Sequence, residues 1–451
     1  MSFQKYLDVI SGDFRKAVKV EWLNIDESVN FEFTDALYDI NVDLSVNYQN
    51  GSRRTCTLTL NNDRNQFPIN FNSIWFGQKF KLWIGVYIDE KTPYYFPQGV
   101  FYISNPNEVY QPSTKTIKIN GVDKWAYLDG TLGGKLHGTY QTNIGDDLLD
   151  ATRKLLKLSR FDNAFSPTDD KTKMIDPTPP FISPYFLTKT SYVLTTDINA
   201  VDGKTYYKYD KDTKSYTERT GSASLVEGMY TKEYVKNCPY TAKVERGKTY
   251  ADVLLEYANI LCAHIYYDAN GHLTIEPLIN EADDITDTNK EIVWRFTVEK
   301  KQLLGLNTTY NFDKVYNDII VLGNIVNGYQ FKARVQNRNP ISDTCVDKIG
   351  LNSKDPIEDN QYYSDDQCKE LAMYHAKVDT ILQKSGDINS TPLYHLDVNK
   401  LVTISTPNNN MSEELFLITG YTLNSSNSMS IKVTSVNVLK DFSVVEADVY
   451  E

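Results

Sequence analysis

The stretch Asn41–Leu60, NVDLSVNYQNGSRRTCTLTL, decides the fold class. In its first half Val42, Leu44, Val46 and Tyr48 alternate with Asn41, Asp43, Ser45 and Asn47. Successive side chains of an extended chain point to opposite faces, so this spacing predicts a strand with one apolar face. QNGSRR then brings a turn, and TCTLTL sets Cys56, Leu58 and Leu60 on one face against three threonines on the other. FKLWIGVYI repeats the device with Phe80, Leu82, Ile84, Val86 and Ile88, and GVFYIS and KTIKINGV follow. Short strands separated by Gly, Asn or Pro turns predict an antiparallel β-barrel or sandwich over residues 1–135.

Composition agrees. Tyr occurs 32 times, beside abundant Thr, and both favour pleated surfaces, while Asn, Asp and Gly favour the turns between them. The 451-residue length is that of about three domains, and 41% hydrophobic with 24% charged residues is ordinary for a globular chain with a sizeable core. Neither a cleaved secretion signal nor an apolar run of about eighteen residues is present, so no membrane span is expected. Cys56, Cys238, Cys262, Cys345 and Cys368 are far apart, odd in number and never in a CxxC. They predict small buried hydrophobes in a reducing compartment rather than a disulfide framework or structural zinc. A net charge of -12 argues against affinity for nucleic-acid backbones, but it does not exclude a protein that DNA must pass without sticking.

Three helices are marked. NIGDDLLDATRKLLKL places Ile144, Leu148, Leu149, Leu155 and Leu156 on one stripe, with Asp146 and Asp147 in the first turn, where the helix dipole favours them. TYADVLLEYANILCAHI carries Tyr250, Val253, Leu254, Tyr257, Ala258 and Leu261 at helical spacing behind a Thr249 cap. A helix at about 364–382 opens with Ser364 and Gln367 in capping-box spacing and sets Cys368, Leu371, Ala372 and His375 on one face. The order of strands, helices and strands predicts an α+β, β-dominated protein with two β modules.

Residues 183–235, introduced by the proline-rich DPTPPFISP, are dense in Tyr, Lys, Thr and Asp and read as a small β-rich insertion. Its tyrosines, Tyr209 and Tyr216 among them, serve either as an exposed binding surface or as cross-strand pairs of a domain with little aliphatic core. The segment DKDTKSYTERTG is no EF-hand loop: Lys214 sits where a ligand is needed, Ser215 replaces the required Gly and Gly221 the final Glu.

No catalytic, cofactor-binding or metal-ligating set emerges. His137, His264, His272, His375 and His395 include no HExxH, no GxSxG elbow occurs, and the Asp-Ala-Asn-Gly turn between His264 and His272 is explained as a hairpin turn. GVDKWAYLDGTLGGKL (Gly121–Leu136) is one residue short of a P-loop and has Leu136 where a hydroxyl is required. Its glycines read as backbone punctuation at the exit of the first module, with Trp125, Tyr127 and Leu128 under the rim and Lys135 a surface charge.

The succession CTLTLNN, WFGQKFKLWIGVYI and PQGVFYISNPNEVYQPSTKTIKINGVDKWAYLDGTLGGKL resembles the N-terminal region of bacteriophage tail baseplate hub proteins. TYADVLLEYANILCAHIYYDANGHLTIEP is similar to that family's helix and hairpin, and YHLDVNKLVTISTPNNNMSEELFLITGYTLNSSNSMSIKV to its last barrel. The resemblance covers nearly everything except residues 183–235. It implies a first barrel at 1–135, a middle domain from 136–182 and 236–300, the insertion at 183–235, and a second barrel at 301–451. It further implies a non-enzymatic homotrimer, assembled in the host cytoplasm and located in the virion tail. There it would join a hexameric tail tube or distal tail protein to a trimeric tip, spike or fibre, while DNA passes through the lumen. Two rivals stand beside it: a distal tail or receptor-binding protein, favoured if the insertion binds saccharide, and a cell-wall-degrading tail enzyme.

Overall fold

The computed structural model describes residues 2–445 apart from 72, 113, 162–165, 196, 211–212, 214, 220–224, 278–290, 300–301, 327, 361, 381, 408–410, 426–427 and 437–441. Lys214 and Gly221 of the rejected EF-hand reading thus lie outside the described residues.

The opening stretch folds as its alternation requires. Strand β3 (Ile40–Asn47) buries every second residue and pairs antiparallel with β4 (Arg54–Asn61), Leu44 opposite Cys56. With β1 (Lys16–Leu23), β2 (Val29–Thr34), β5 (Lys79–Tyr87), β6 (Pro93–Gln111) and β7 (Thr114–Asp123), they stand in the order β3-β4-β7-β6-β5-β1-β2. Gly121 in β7 is required by close packing: a Cβ there would lie 2.7 Å from the Cys56 Sγ and 2.9 Å from the Phe80 ring.

After β7 a 3₁₀ turn, Lys124–Tyr127, swings the chain away, its Trp125 amide held by the Asp123 carboxylate. Trp125 is buried in the core of the middle region with Leu128, Leu148, Tyr257 and Ile275, and its indole also lies against Gly51 in the β3–β4 turn at the rim of the first sheet. Gly134 closes the segment at φ +90, where a Cβ would meet the Leu128 carbonyl oxygen at 2.5 Å. The middle region comprises β8 (Tyr140–Thr142), β9 (Phe181–Ile182), two helices and three strands that follow the insertion in the chain. The first helix runs only from Leu148 to Leu156: Asp147 is its N-cap, accepting the Leu149 and Asp150 amides. Asp146 and the exposed Ile144 therefore precede the helix rather than join it. The second, Tyr250–Leu261, has the full capping box between Thr249 and Asp252.

The insertion forms its own antiparallel sheet from β10 (Thr190–Leu194), β11 (Tyr206–Asp210), β12 (Ser215–Glu218) and β13 (Tyr230–Tyr234), in the order β10-β13-β11-β12. Next, β14 (Ala242–Val244) pairs with β8, and β15 (Ala263–Tyr267) with β16 (Leu273–Pro277), which also meets β9.

The last third holds β17 (Ile292–Thr297), β18 (Leu303–Asn311), β19 (Asp318–Val326), β20 (Tyr329–Gln336), β21 (Ile357–Glu358), β22 (Gln383–Ser390), β23 (Leu401–Thr406), β24 (Met411–Leu423), β25 (Met429–Ser435) and β26 (Ser443–Val445). Strands β19, β20, β21 and β26 make a separate sheet, on which the helix Asp365–Asp379 packs through Cys368, Ala372 and Ala376. The remaining six run β18-β22-β25-β24-β23-β17. That is the order β3-β4-β7-β6-β5-β1 of the first third, strand for strand, so the chain contains one six-stranded unit twice. The copies differ in that β17 meets β23 parallel whereas β1 meets β5 antiparallel, and β2 has no counterpart.

The two units are joined edge to edge. Residues Gly420–Leu423 of β24 pair antiparallel with Asn47–Leu44 of β3, making a 13-stranded sheet over one hydrophobic core that takes Val42, Leu58 and Phe101 from the first unit and Ile388, Val402 and Ile431 from the second. The protein is β-dominated with few helices, and among the described residues the strands close into no barrel.

Candidate functional site

Two features stand out as places where this architecture acts on something else: the ionic seams that fix the units in register, and a cleft beneath the insertion.

At the first seam the Arg54 guanidinium, fully buried on the inward face of β4, donates to both Asp397 carboxylate oxygens at 2.5 and 2.6 Å and to the Gln98 carbonyl at 3.0 Å. A buried guanidinium is tolerable only with such bidentate compensation. It therefore ties the first unit to the loop ahead of β23. At the second seam Glu27 bridges Lys79 and Lys124, both at 2.8 Å, and Lys124 also reaches Asp176 at 2.6 Å. Burial pushes the Glu27 carboxyl up, but Lys124 and Lys79 outweigh it and hold it down to about 2. Tyr267 donates to Asp176 and the Lys124 ammonium to the Gly271 carbonyl, so this seam locks the first unit onto the middle hairpin.

The cleft, of about 1390 Å³, opens between the insertion, the middle region and the β19–β20 layer. Tyr209, Tyr230, Tyr240, Tyr329 and Tyr363 line it with Asp365. Tyr329 donates to Asp365 at 2.9 Å, Tyr240 donates to Glu256 at 2.7 Å, and the Tyr240 ring stacks on Tyr363. Flat rings with polar tips and nearby carboxylates suit a polyhydroxylated or peptide ligand. The insertion's own tyrosines are largely spent on one another: Tyr216 stacks on Tyr192 at 3.9 Å, and Tyr209 pairs with Tyr216 across β11 and β12. Both Tyr209 and Tyr216 are half-buried, since this sheet lies against the acidic start of the Asp365–Asp379 helix. Burial, reinforced by Asp366 and Asp365, pushes the Tyr216 hydroxyl up. Of the two readings of these residues, cross-strand packing is the one realised.

The histidines do not converge. His137 is exposed. His264 bonds Tyr48 and Asn50, and His272 lies beside Asp268 of its own turn. His395 is enclosed by Phe3, Tyr6 and Trp294, and burial lowers its pKa to about 4. His375, read as part of a buried stripe, is half-buried, because the last helical turn faces Asp379 and Lys354. No metal-ligating cluster exists among the described residues. Four cysteines are buried and Cys262 is half-buried, and none of them is in a disulfide. Lys135 is exposed. No helix among the described residues is long and apolar enough to cross a membrane.

Sequence spacing carried no sign of either seam or of the cleft, whose walls come from three separate segments. The only local hint was Arg54, a charge at an inward position of an alternating strand.

No family model and no curated protein matches the chain. Solved structures do. The 43 kDa tail protein of prophage MuSo2 from Shewanella oneidensis superposes with a TM-score of 0.50 at 10% identity, over 94% of this chain and 99% of that one. A tail protein from Neisseria meningitidis MC58 gives 0.51 at 10% identity, over 94% and 97%. At such identity the likeness is one of fold, and the chain shares the fold of these two tail proteins along nearly its whole length.

Proposed function

We propose that the protein is a structural virion component, the central baseplate or tail-tip hub. In this reading three copies form a ring below the tail tube. The ring joins the hexameric tube or distal tail protein to a trimeric tip, spike or fibre, and DNA leaves through its axis. The observation that carries the reading is the duplicated six-stranded unit: three chains offer six near-equivalent units, one for each subunit of a six-fold tube. In the ring each unit serves as one barrel-like module. The middle region (136–182 and 236–300, apart from β17) and the insertion (183–235) lie outside that repeat. A net charge of -12 suits a lumen that repels DNA. The fold shared with tail proteins supports a tail location and a non-enzymatic role.

A receptor-binding or distal tail role is the second reading, favoured by the tyrosine-lined cleft. Immunogold labelling of intact virions separates the two: label on the axis at the tube end supports the hub, and label at the periphery supports the receptor binder. Turnover of purified host cell wall, abolished by one carboxylate substitution, would contradict both.

A further inference from the structure

The junction inside the chain has two halves, and each half occurs a second time without a partner. In the second unit β24 runs past the end of β23, shifts register after Ile418, and lays Gly420–Leu423 along β3 of the first unit. In the first unit β6 likewise runs past the end of β5 and shifts register after Ser104. It continues as Asn107–Gln111, with β7 on one side and no strand on the other among the described residues. Strand β3 corresponds to β18, whose outer edge is also unpaired among the described strands.

Exposure follows the same division. At the covered junction Tyr421, Leu423, Leu44 and Val46 are at most 3% exposed. Along the uncovered edges Tyr110 of β6 is 78% exposed, Tyr310, the counterpart of Val46, is 42% exposed, and Phe312, just past the end of β18, is 75% exposed. Unpaired edges that carry apolar side chains are templates for another strand.

We infer that the distal half of β6 in one copy pairs antiparallel with β18 of the next copy, repeating between chains the β24–β3 junction found within the chain. The inference rests on the cyclic assembly proposed above and names the surface that builds it. The register follows from the neighbouring strands. The first residues of β5 and β23, Lys79 and Leu401, face Tyr102 and Leu417, so the next residues Ile103 and Ile418 correspond. Ile103 lies opposite Gly121, which faces Cys56 and through it Leu44, and Ile418 lies opposite Val433, which faces Gly386 and through it Thr308. Thr308 is therefore the counterpart of Leu44, and Thr309 that of Ser45. Applied to β6, the same correspondence sets Asn107 opposite Thr309, Glu108 opposite Thr308, and Tyr110 opposite Leu306, which already packs on the shared core. The contact is heterologous, one edge from each unit, so it propagates in one direction and closes when the units come round to the start.

Cysteine cross-linking in the full chain tests this. Asn107 and Thr309 are exposed and correspond to the outward-facing pair Thr422 and Ser45, so Asn107→Cys with Thr309→Cys leaves the core untouched. Val109→Cys with Thr309→Cys covers a two-residue slip at the β6 bulge. On oxidation one of these double variants yields covalent dimers and trimers on a denaturing gel, while each single variant does not. Tyr110→Asp, at a residue exposed in the lone chain, keeps the melting temperature of the monomer and weakens assembly at least tenfold. A chain that is trimeric by mass yet cross-links with neither pair and tolerates Tyr110→Asp overturns this junction and leaves the hub reading standing. A ladder running beyond three chains supports the junction and overturns the trimer. A chain that remains monomeric at tens of micromolar overturns both.

Discussion

The 13-stranded sheet and the four-stranded insertion solve the same problem with different side chains. In the large sheet, alternating strands place Val42, Leu58, Ile84, Phe101, Ile418 and Ile431 in one core, each fully buried or nearly so. The insertion has too few strands to enclose such a core. Its tyrosines bury their faces against one another and keep their hydroxyls near the Asp365–Asp379 helix. A wide sheet stabilises itself by removing aliphatic surface from water, whereas a narrow one depends on ring stacking and on a neighbouring helix. The first should respond to substitution globally and the second locally.

The largest contrast lies in core truncation. Phe101→Ala in the large sheet, like Trp125→Ala in the middle core, should cost about 3–5 kcal/mol and lower the denaturant midpoint of the whole chain. Tyr216→Ala should cost about 1–2 kcal/mol, with faster hydrogen exchange confined to residues 190–234. Equal global losses from the two classes would erase the distinction.

Acid sharpens it next. The Glu27 carboxyl, held at about 2 in the folded chain against an ordinary 4.5, contributes stability that is complete above pH 4.5 and lost as pH falls toward 2. The loss is roughly 2–4 kcal/mol. The seam between the large sheet and the middle hairpin should therefore open in acid, and Glu27→Gln should flatten the dependence of unfolding on pH over that window. An unchanged pH profile in the variant would remove the seam from the account.

Replacing residues 183–235 by a short Gly-Ser linker should preserve the oligomer, since loop-closure cost grows only logarithmically with length, while uncovering Tyr329 and Tyr363 in the cleft. An insoluble product would mean that the insertion belongs to the core. The smallest effect is expected at Lys135→Ala, within about 0.5 kcal/mol. Loss of nucleotide binding in that variant would contradict the structural reading of the glycine-rich segment.

The strands of the first unit were legible because period-two alternation is a local property of sequence, and the caps at Thr249 and Ser364 because a cap needs only a hydroxyl and an amide three residues on. Non-local features were not legible. Nothing near β3 announces that residues some 370 positions later complete its edge, or that Asp397 awaits Arg54. The repeat is hidden because it preserves shape rather than identity: Leu44 corresponds to Thr308 and Cys56 to Gly386. That Trp125 is a core residue is legible in the sequence, but that it joins the middle-region core as well as the rim of the first sheet is not, since the direction of the turn depends on the Asp123 cap, which spacing does not reveal.

The central claim is that a duplicated unit builds a three-chain collar, and imaging the purified full-length oligomer down its axis tests it most directly. The account predicts three chains presenting six similar lobes around an open centre. A monomer or a two-fold dimer across micromolar concentrations, or three chains without six lobes, would contradict it.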